Sequence, residues 1–328
     1  MSYLISGYGS KDQPNITLYN TPETPLWSSS IPNPSFLCQK DNLLFAVGEF
    51  EDHCTITSFL RDADGSFGKE IDTIQLKGTC LCHLSAHSEE HFLAGSCWGD
   101  GTFFTISYGD DGKFGDILYE EQQSNDTSDP SRVHCALILG NYIYVVNIEL
   151  DLIFCYQQTH GIPTEYSRLN LPKGTGPRHI YANEEKKLFY CVTEYSSQLL
   201  TIDYRDPANM KLIQTQSLLE PDFEGESYGS TLAVTQDHRH LYAANRGENT
   251  IAHFLLDENG MPIYSDRTPC LGDWPRHIAL TDGDSLLAVA NQKSGEVVFL
   301  ERDKQNGRIK KGVVRKVEQP QVSFITEI

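Results

Sequence analysis

Six apolar stretches of this 328-residue chain, NLLFAVGEF, HFLAGSCW, YIYVVNIE, LFYCVTEY, LYAANRGE and LLAVANQK, each end in a small or polar turn. They return on a near-constant beat. Taking Glu49, Cys97, Ile148, Glu194, Arg246 and Gln292 as equivalent positions gives successive gaps of 48, 51, 46, 52 and 46 residues. A period of that length marks modules that cannot bury their apolar faces singly and must stack, in a row or in a ring.

Each repeated stretch follows an apolar run that ends in Asn, Asp, Gly or Glu, such as PRHIYANEE or RHIALTDGD, and precedes a third run rich in β-branched and aromatic residues, such as TITSFL or EVVFLE. These are strand signals, and no comparable stretch repeats apolar residues at helical spacing. The class is all-β. Six modules leave strand-like segments at both ends, YLISGYG and NITLYN in front and VSFITEI behind. Joining them makes a seventh blade and closes the ring, which removes the open sheet edges that invite aggregation. The expected architecture is a seven-bladed β-propeller, a single domain over residues 1–328, whose last blade combines N- and C-terminal strands. An open solenoid would want polar capping repeats, and these ends are apolar.

A composition of 39% hydrophobic and 22% charged residues suits a folded protein with a sizeable core. The formal net charge of -19 repels phosphate backbones and anionic bilayers, so neither nucleic acid nor a membrane is an expected partner. The first residues carry no basic segment ahead of a long apolar run, and no run of apolar residues reaches membrane-spanning length, which points to the cytoplasm. Nine cysteines without a CxxC pair fit buried thiols in a reducing compartment better than a disulfide framework. Cys80, Cys82, His83 and His87 lie close together, but adjacent strand positions face opposite ways and acidic ligands are missing, so no metal site is expected. No organic cofactor is expected either.

One pattern remains. GTGPRHI at 174–180 returns as WPRHI at 274–278, placing arginine beside histidine behind a proline and ahead of an apolar run. In an antiparallel blade the start of the innermost strand and the end of the second lie at one rim. Starts of first strands carry His83, His134, Arg178, His179, Arg276 and His277, and ends of second strands carry Glu49, Glu194, Arg246, Asn291 and Gln292. All are expected at one mouth of the central channel. Three arginines focused there, in an acidic protein, make an anion site. The competing expectation is structural: propellers also fill channels with Arg–Glu pairs, and then Glu194, Arg178 and Arg246 would pair off into a closed, saturated network with no cavity instead of meeting around an open pocket. GESYG at 225–229 matches a nucleophile pattern without the helix that pattern needs, and Cys135 beside His134 is expected to face away from the channel.

The motifs NPSFL with VGE, CHLS, GPRHI with VTE, LYAANRG with TIAHF, and PRHIAL with VANQ resemble, in order and over nearly the whole chain, the blade signatures of the seven-bladed lactonase family. That family includes propeller-type 6-phosphogluconolactonases and the fungal carboxy-cis,cis-muconate cyclase. The resemblance implies a catalytic set of His134, Arg178, Glu194 and Arg246, with substrate contacts from His179, Arg276, His277, Gln292, Glu49 and His83. It implies hydrolysis of a small anionic sugar lactone, 6-phospho-D-glucono-1,5-lactone foremost, with Glu194 or His134 as base, by a monomer or weak homo-oligomer. A lactone-forming cycloisomerase and a non-catalytic binding propeller stand as alternatives. The chain departs from the family at Asn147–Glu149, where an Asp-Leu-Gly turn is common, and at Arg132, where many relatives place histidine.

Overall fold

The computed structural model describes residues 2–20, 24–124 and 131–328. Within them the chain forms seven four-stranded antiparallel sheets. Six sheets are consecutive meanders whose innermost strands are Leu37–Lys40, Leu81–Ala86, Val133–Leu139, Pro177–Asn183, Tyr228–Val234 and Pro275–Thr281, and they are numbered here as blades 2 to 7. Blade 1 is composite. Its innermost strand, Val322–Glu327, pairs with Ser2–Gly7, followed outward by Ile16–Asn20 and Pro25–Ser29. The seventh blade expected from the two apolar ends is therefore built as expected.

Burial follows radial position. Second strands such as Leu43–Glu49 and His240–Arg246 are covered on both faces and read as continuous apolar runs, whereas the outermost strand Lys211–Ser217 alternates exposed and half-buried residues. The apolar side chains gather into seven clusters, each drawn from two neighbouring blades; one joins Tyr3 and Ile5 to Ala288 and Phe299 across the closure. Each blade thus buries its faces only against its neighbours, which is the physical reason for a ring. Outer strands are edges, and the edge of blade 7, IKKGVVRKVE, carries the charges that discourage further pairing.

Hydroxyl groups add a peripheral clasp between blades. Ser58 Oγ donates to the Gly112 carbonyl at 2.6 Å, Thr105 Oγ1 to Gly161 at 2.5 Å and Tyr190 Oη to Gly260 at 2.6 Å, each reaching the outer hairpin of the next blade.

Candidate active site

The geometry of the channel mouth comes from one irregularity repeated in every blade. Near the start of each innermost strand the ladder with the second strand slips by one residue, between Leu81 and His83, Val133 and Cys135, Pro177 and His179, Gly229 and Leu232, and Pro275 and His277. The same slip falls between Val322 and Phe324 in blade 1, and the backbone bonds from Val47 to Phe36 and from Glu49 to Asn33 place it at Ser35 in blade 2. These are β-bulges, which insert one unpaired residue and re-aim side chains. The inserted residues are Ser323, Ser35, Cys82, His134, Arg178, Ser230 and Arg276. The residues that follow them are Phe324, Phe36, His83, Cys135, His179, Thr231 and His277. A bulge lets two consecutive side chains reach the channel, and that is the structural meaning of the repeated RH pair.

The leads into the bulges of blades 5 and 7 are fixed from the preceding blade. Asp151 accepts from the backbone N–H of Gly174 and of Gly176, both at 2.7 Å, and Asn249 Oδ1 accepts from that of Trp274 at 2.9 Å. Gly176 and Trp274 sit at the same place with φ of 61° and 67°. Glycine adopts that conformation freely, whereas a bulky residue there is strained, a cost that tends to persist at functional positions. The strained backbone sets the Trp274 ring at the rim, 5.5 Å from the Arg246 guanidinium and 3.4 Å from Lys293 Nζ.

The upper tier of the mouth is charged. Glu194 Oε2 accepts from Arg178 Nε at 2.9 Å and lies 3.1 Å from Arg246 Nη2. Both arginines are buried, 3% and 5% exposed, and the backbone of blade 6 holds them in place. Arg178 Nη1 donates to the Ser230 carbonyl, and Arg246 donates from Nε to Tyr228 at 3.3 Å and from Nη2 to Gly229 at 3.0 Å. Among the described residues, Arg178 Nη2, Arg246 Nη1 and Glu194 Oε1 carry no hydrogen bond. Burial alone would push the Glu194 carboxyl up, but Arg246 and Arg178 overcome that and hold it below the ordinary carboxylate range. Burial and the neighbouring Arg246 push Arg178 down to about 9. On the next blades Arg276 Nη2 donates to Tyr8 Oη at 2.6 Å, and Tyr8 donates to Glu49 Oε2 at 2.8 Å.

The lower tier is neutral. Phe36 packs against His83 with ring centroids 4.5 Å apart and against Phe324 at 4.6 Å, and it faces His179 at 6.4 Å and His277 at 6.2 Å across the axis. Cys135 Sγ lies 3.6 Å from His83 Nε2, and His179 Nδ1 is 3.2 Å from Thr231 Oγ1. Burial, reinforced by Arg178, pushes His83 and His277 down to about 3. His134 belongs to the bulge column between the tiers. Burial and the charges of Arg178 and Arg276 hold it far below its ordinary value, and its Nδ1 has no partner.

Of the residues expected at the mouth, Arg178, Glu194, Arg246, Arg276 and Glu49 form the charged tier, with His134 beneath. His83, His179 and His277 lie one position deeper, in the aromatic belt. Gln292 reaches the rim through its backbone, its N–H donating to the Trp274 carbonyl at 3.0 Å. The corresponding bond in blade 3 comes from Trp98, not Cys97, so the repeat is offset there by one residue. Cys135 packs in the apolar cluster between blades 4 and 5, as expected, while its Sγ also comes close to His83; burial pushes its thiol up to about 12 and leaves it protonated. Cys82 enters the bulge column, Sγ 3.6 Å from the His134 carbonyl, while His87 sits at the far end of its strand with Nε2 3.2 Å from the Gly140 carbonyl. Ser227 Oγ donates to the Arg246 carbonyl at 3.2 Å and has no base beside it. At the two departures, Asn147 Oδ1 accepts from Arg132 N at 3.1 Å, and the Arg132 guanidinium lies 3.9 Å over the Trp98 ring.

The sequence reading missed Tyr8. Its signal was present, since the end of YLISGYG occupies the register position of Glu49, Glu194 and Arg246, confirmed by the bond from Tyr8 N to Gln321 O at 3.1 Å. The three arginines are also not all paired: two share one carboxylate and the third bonds a phenol. Glu194, Arg178 and Arg246 thus pair among themselves, while Arg276 reaches Glu49 only through the Tyr8 phenol.

Residues 17–326 match the family model described as Lactonase, 7-bladed beta-propeller. A curated 6-phosphogluconolactonase of Bacillus subtilis strain 168 is 25% identical over 295 residues, covering 87% of this chain and 84% of that protein. The periplasmic gluconolactonase PpgL of Pseudomonas aeruginosa superposes with a TM-score of 0.92 at 22% identity, over 99% of this chain and 98% of that one. A Lactobacillus plantarum protein superposes with a TM-score of 0.88 at 20% identity, over 99% and 98%. At these identities the solved structures establish the shared fold. No helix among the described residues is long and apolar enough to cross a membrane.

Proposed function

The chain belongs to the seven-bladed β-propeller lactonase family, and on that footing we propose that it hydrolyses 6-phospho-D-glucono-1,5-lactone to 6-phosphogluconate. Support for the substrate comes from the 6-phosphogluconolactonase relative and from the net positive mouth of an acidic protein. The observation that carries the chemistry is the shared carboxylate oxygen: Arg178 and Arg246 both engage Glu194 Oε2, leaving Oε1 and one N–H edge of each guanidinium unused.

In this reading the lactone carbonyl lies against the unused edges of Arg178 and Arg246. Water is oriented by Glu194 Oε1 with the neutral His134 imidazole alongside. As the water oxygen bonds to the carbonyl carbon, its proton passes to Glu194 and the carbonyl oxygen becomes an oxyanion facing the two guanidinium groups. Collapse restores the carbonyl, breaks the bond to the ring oxygen, and returns the proton from Glu194 to that oxygen as the new hydroxyl. The backbone carbonyls of residues 228–230 hold both arginines before substrate arrives, so little reorganisation opposes the charge that develops. Glu194 is a weak base because its arginines lower its proton affinity; positioned proton transfer is worth about 10² to 10⁴ in rate, and this substrate also opens unaided.

All nine cysteines are free thiols, which supports action in the reducing cytoplasm. Glu194→Gln keeps the size and removes the base; turnover, corrected for spontaneous opening, should fall by about 10² or more. Undiminished turnover in that variant would remove Glu194 from the mechanism. Parallel assay with a muconolactone tests the lactone-forming alternative.

A further inference from the structure

Arg276 differs from the other two arginines of the mouth. Arg178 and Arg246 are each bound to a carboxylate and to backbone carbonyls, whereas among the described residues Arg276 has no acidic side chain within ion-pair distance and a single hydrogen bond, from Nη2 to Tyr8 Oη. Its Nε and Nη1 are unused. The guanidinium stands 5.3 Å from the Tyr8 ring centroid, close enough to Glu194 and Arg246 for its charge to act on both. Burial disfavours that charge, but the hydrogen-bonded Tyr8–Glu49 pair more than offsets the effect and holds Arg276 above the ordinary arginine range. The cation is thus kept charged by a relay in which Glu49 acts through a phenol and leaves the guanidinium edge open.

Resting on the lactonase reading, we propose that Arg276 is the anchor for the phosphate of a phosphorylated lactone and that Tyr8 is its positioning residue, so that this pair sets the preference for phosphorylated over free sugar lactones. A 1,5-lactone phosphorylated on its terminal carbon carries its anion at the end away from the carbonyl, which calls for two separate cationic poles. The mouth supplies them: Arg178 and Arg246 on blades 5 and 6, committed through Glu194 to the reacting carbon, and Arg276 on blade 7 with a free planar donor edge suited to phosphate oxygens. Lys293, exposed on the rim of the same blade above Trp274, adds positive charge on the approach to that pole. Tyr8 donates its own proton to Glu49 and accepts from Arg276, so it fixes the direction of the fork without neutralising it.

The test compares glucono-1,5-lactone with its 6-phosphate, corrected for spontaneous opening, in the wild type and in Arg276→Met, Arg276→Lys and Tyr8→Phe. Calorimetric binding of 6-phosphogluconate and of inorganic phosphate is measured on the same proteins. Arg276→Met should raise KM for the phosphorylated lactone by about 10- to 100-fold, with a much smaller change in kcat, and should weaken 6-phosphogluconate binding by a similar factor. Arg276→Lys should recover part of the loss. Tyr8→Phe should raise the same KM several-fold and leave kcat in place, a split that a merely structural role would not produce. Equal KM increases for both lactones, or a loss confined to kcat, would overturn the assignment. If the wild type opens neither lactone, the hydrolytic reading fails; the phosphate anchor then stands only if 6-phosphogluconate still binds and Arg276→Met abolishes that binding.

Discussion

Arg178 and His179 are neighbours in the chain, and so are Arg276 and His277, yet the members of each pair live in different electrostatic worlds. The first residue of each pair joins a tier of guanidinium and carboxylate groups at the mouth; the second joins a belt of aromatic and imidazole rings held neutral by burial. One inserted residue per strand separates the two tiers. The contrast teaches that a channel can be charged at the rim and lined with neutral rings beneath it without a separate domain for either task. A floor of rings in place of charged groups lowers the local dielectric and strengthens the interactions above it. Burial, with the charge of Arg178 added to it, keeps His83 and His277 unprotonated.

The strongest way to break this division is to remove charge from the upper tier alone. Arg246→Ala should lower kcat/KM by about 10² to 10³, the usual cost of losing an oxyanion donor, while circular dichroism shows the fold intact. Wild-type turnover would leave Arg246 without a role in the reaction. Truncating the belt should do the reverse. Phe36→Ala removes the ring that touches His83 and Phe324 and should cost about 3 kcal/mol in denaturant unfolding, with turnover of the folded fraction changed far less than in Arg246→Ala. A loss of activity as large as that of Arg246→Ala would merge the two tiers into one unit.

Acid should act on the belt before the rim. His83 and His277 titrate near 3 in the folded chain and near 6.5 when unfolded. Between those values the unfolded state binds more protons, so stability is full above the upper one and falls as pH is lowered through the window. The slope is about 1.4 kcal/mol per pH unit for each imidazole fully within it. Urea unfolding from pH 7 to pH 5 measures the loss, and His83→Gln with His277→Gln should flatten the curve. Alkali should act on the rim. Arg178 is lowered to about 9, below its value in the unfolded chain, so above that pH the unfolded state binds more protons and this group adds to stability as pH rises. The ratio kcat/KM should drop by half near pH 9 without any loss of stability from Arg178, and an activity plateau well beyond it would show that the charge on Arg178 is dispensable.

The architecture was legible because a propeller writes its fold into spacing: apolar strands two-sided in burial, on a beat near 48, with the missing strands at the chain ends. The charged residues of the mouth were legible for the same reason, since register carries Glu49, Glu194 and Arg246 to one rim. The two-tier arrangement was not. Strict alternation places neighbouring side chains on opposite faces; the bulge suspends the rule for one step, so Arg178 and His179 both belong to the channel mouth. Adjacent polar residues within an apolar strand, as in PRHI, were its trace in the sequence. Trp98 was missed because SCW continues the apolar run past the turn, and Tyr8 because its blade is split between two ends of the chain.

Tyr8 follows directly on the second strand of blade 1, Ser2–Gly7, whose inner partner is Val322–Glu327. The chain must be made from Tyr8 through to Val322–Glu327 before the strand that seats the phenol exists. The site described here therefore comes into being late, when more than three hundred intervening residues are already made. A nascent or truncated chain can hold six finished blades, Glu194 and all three arginines, and still lack the bond that aims Arg276.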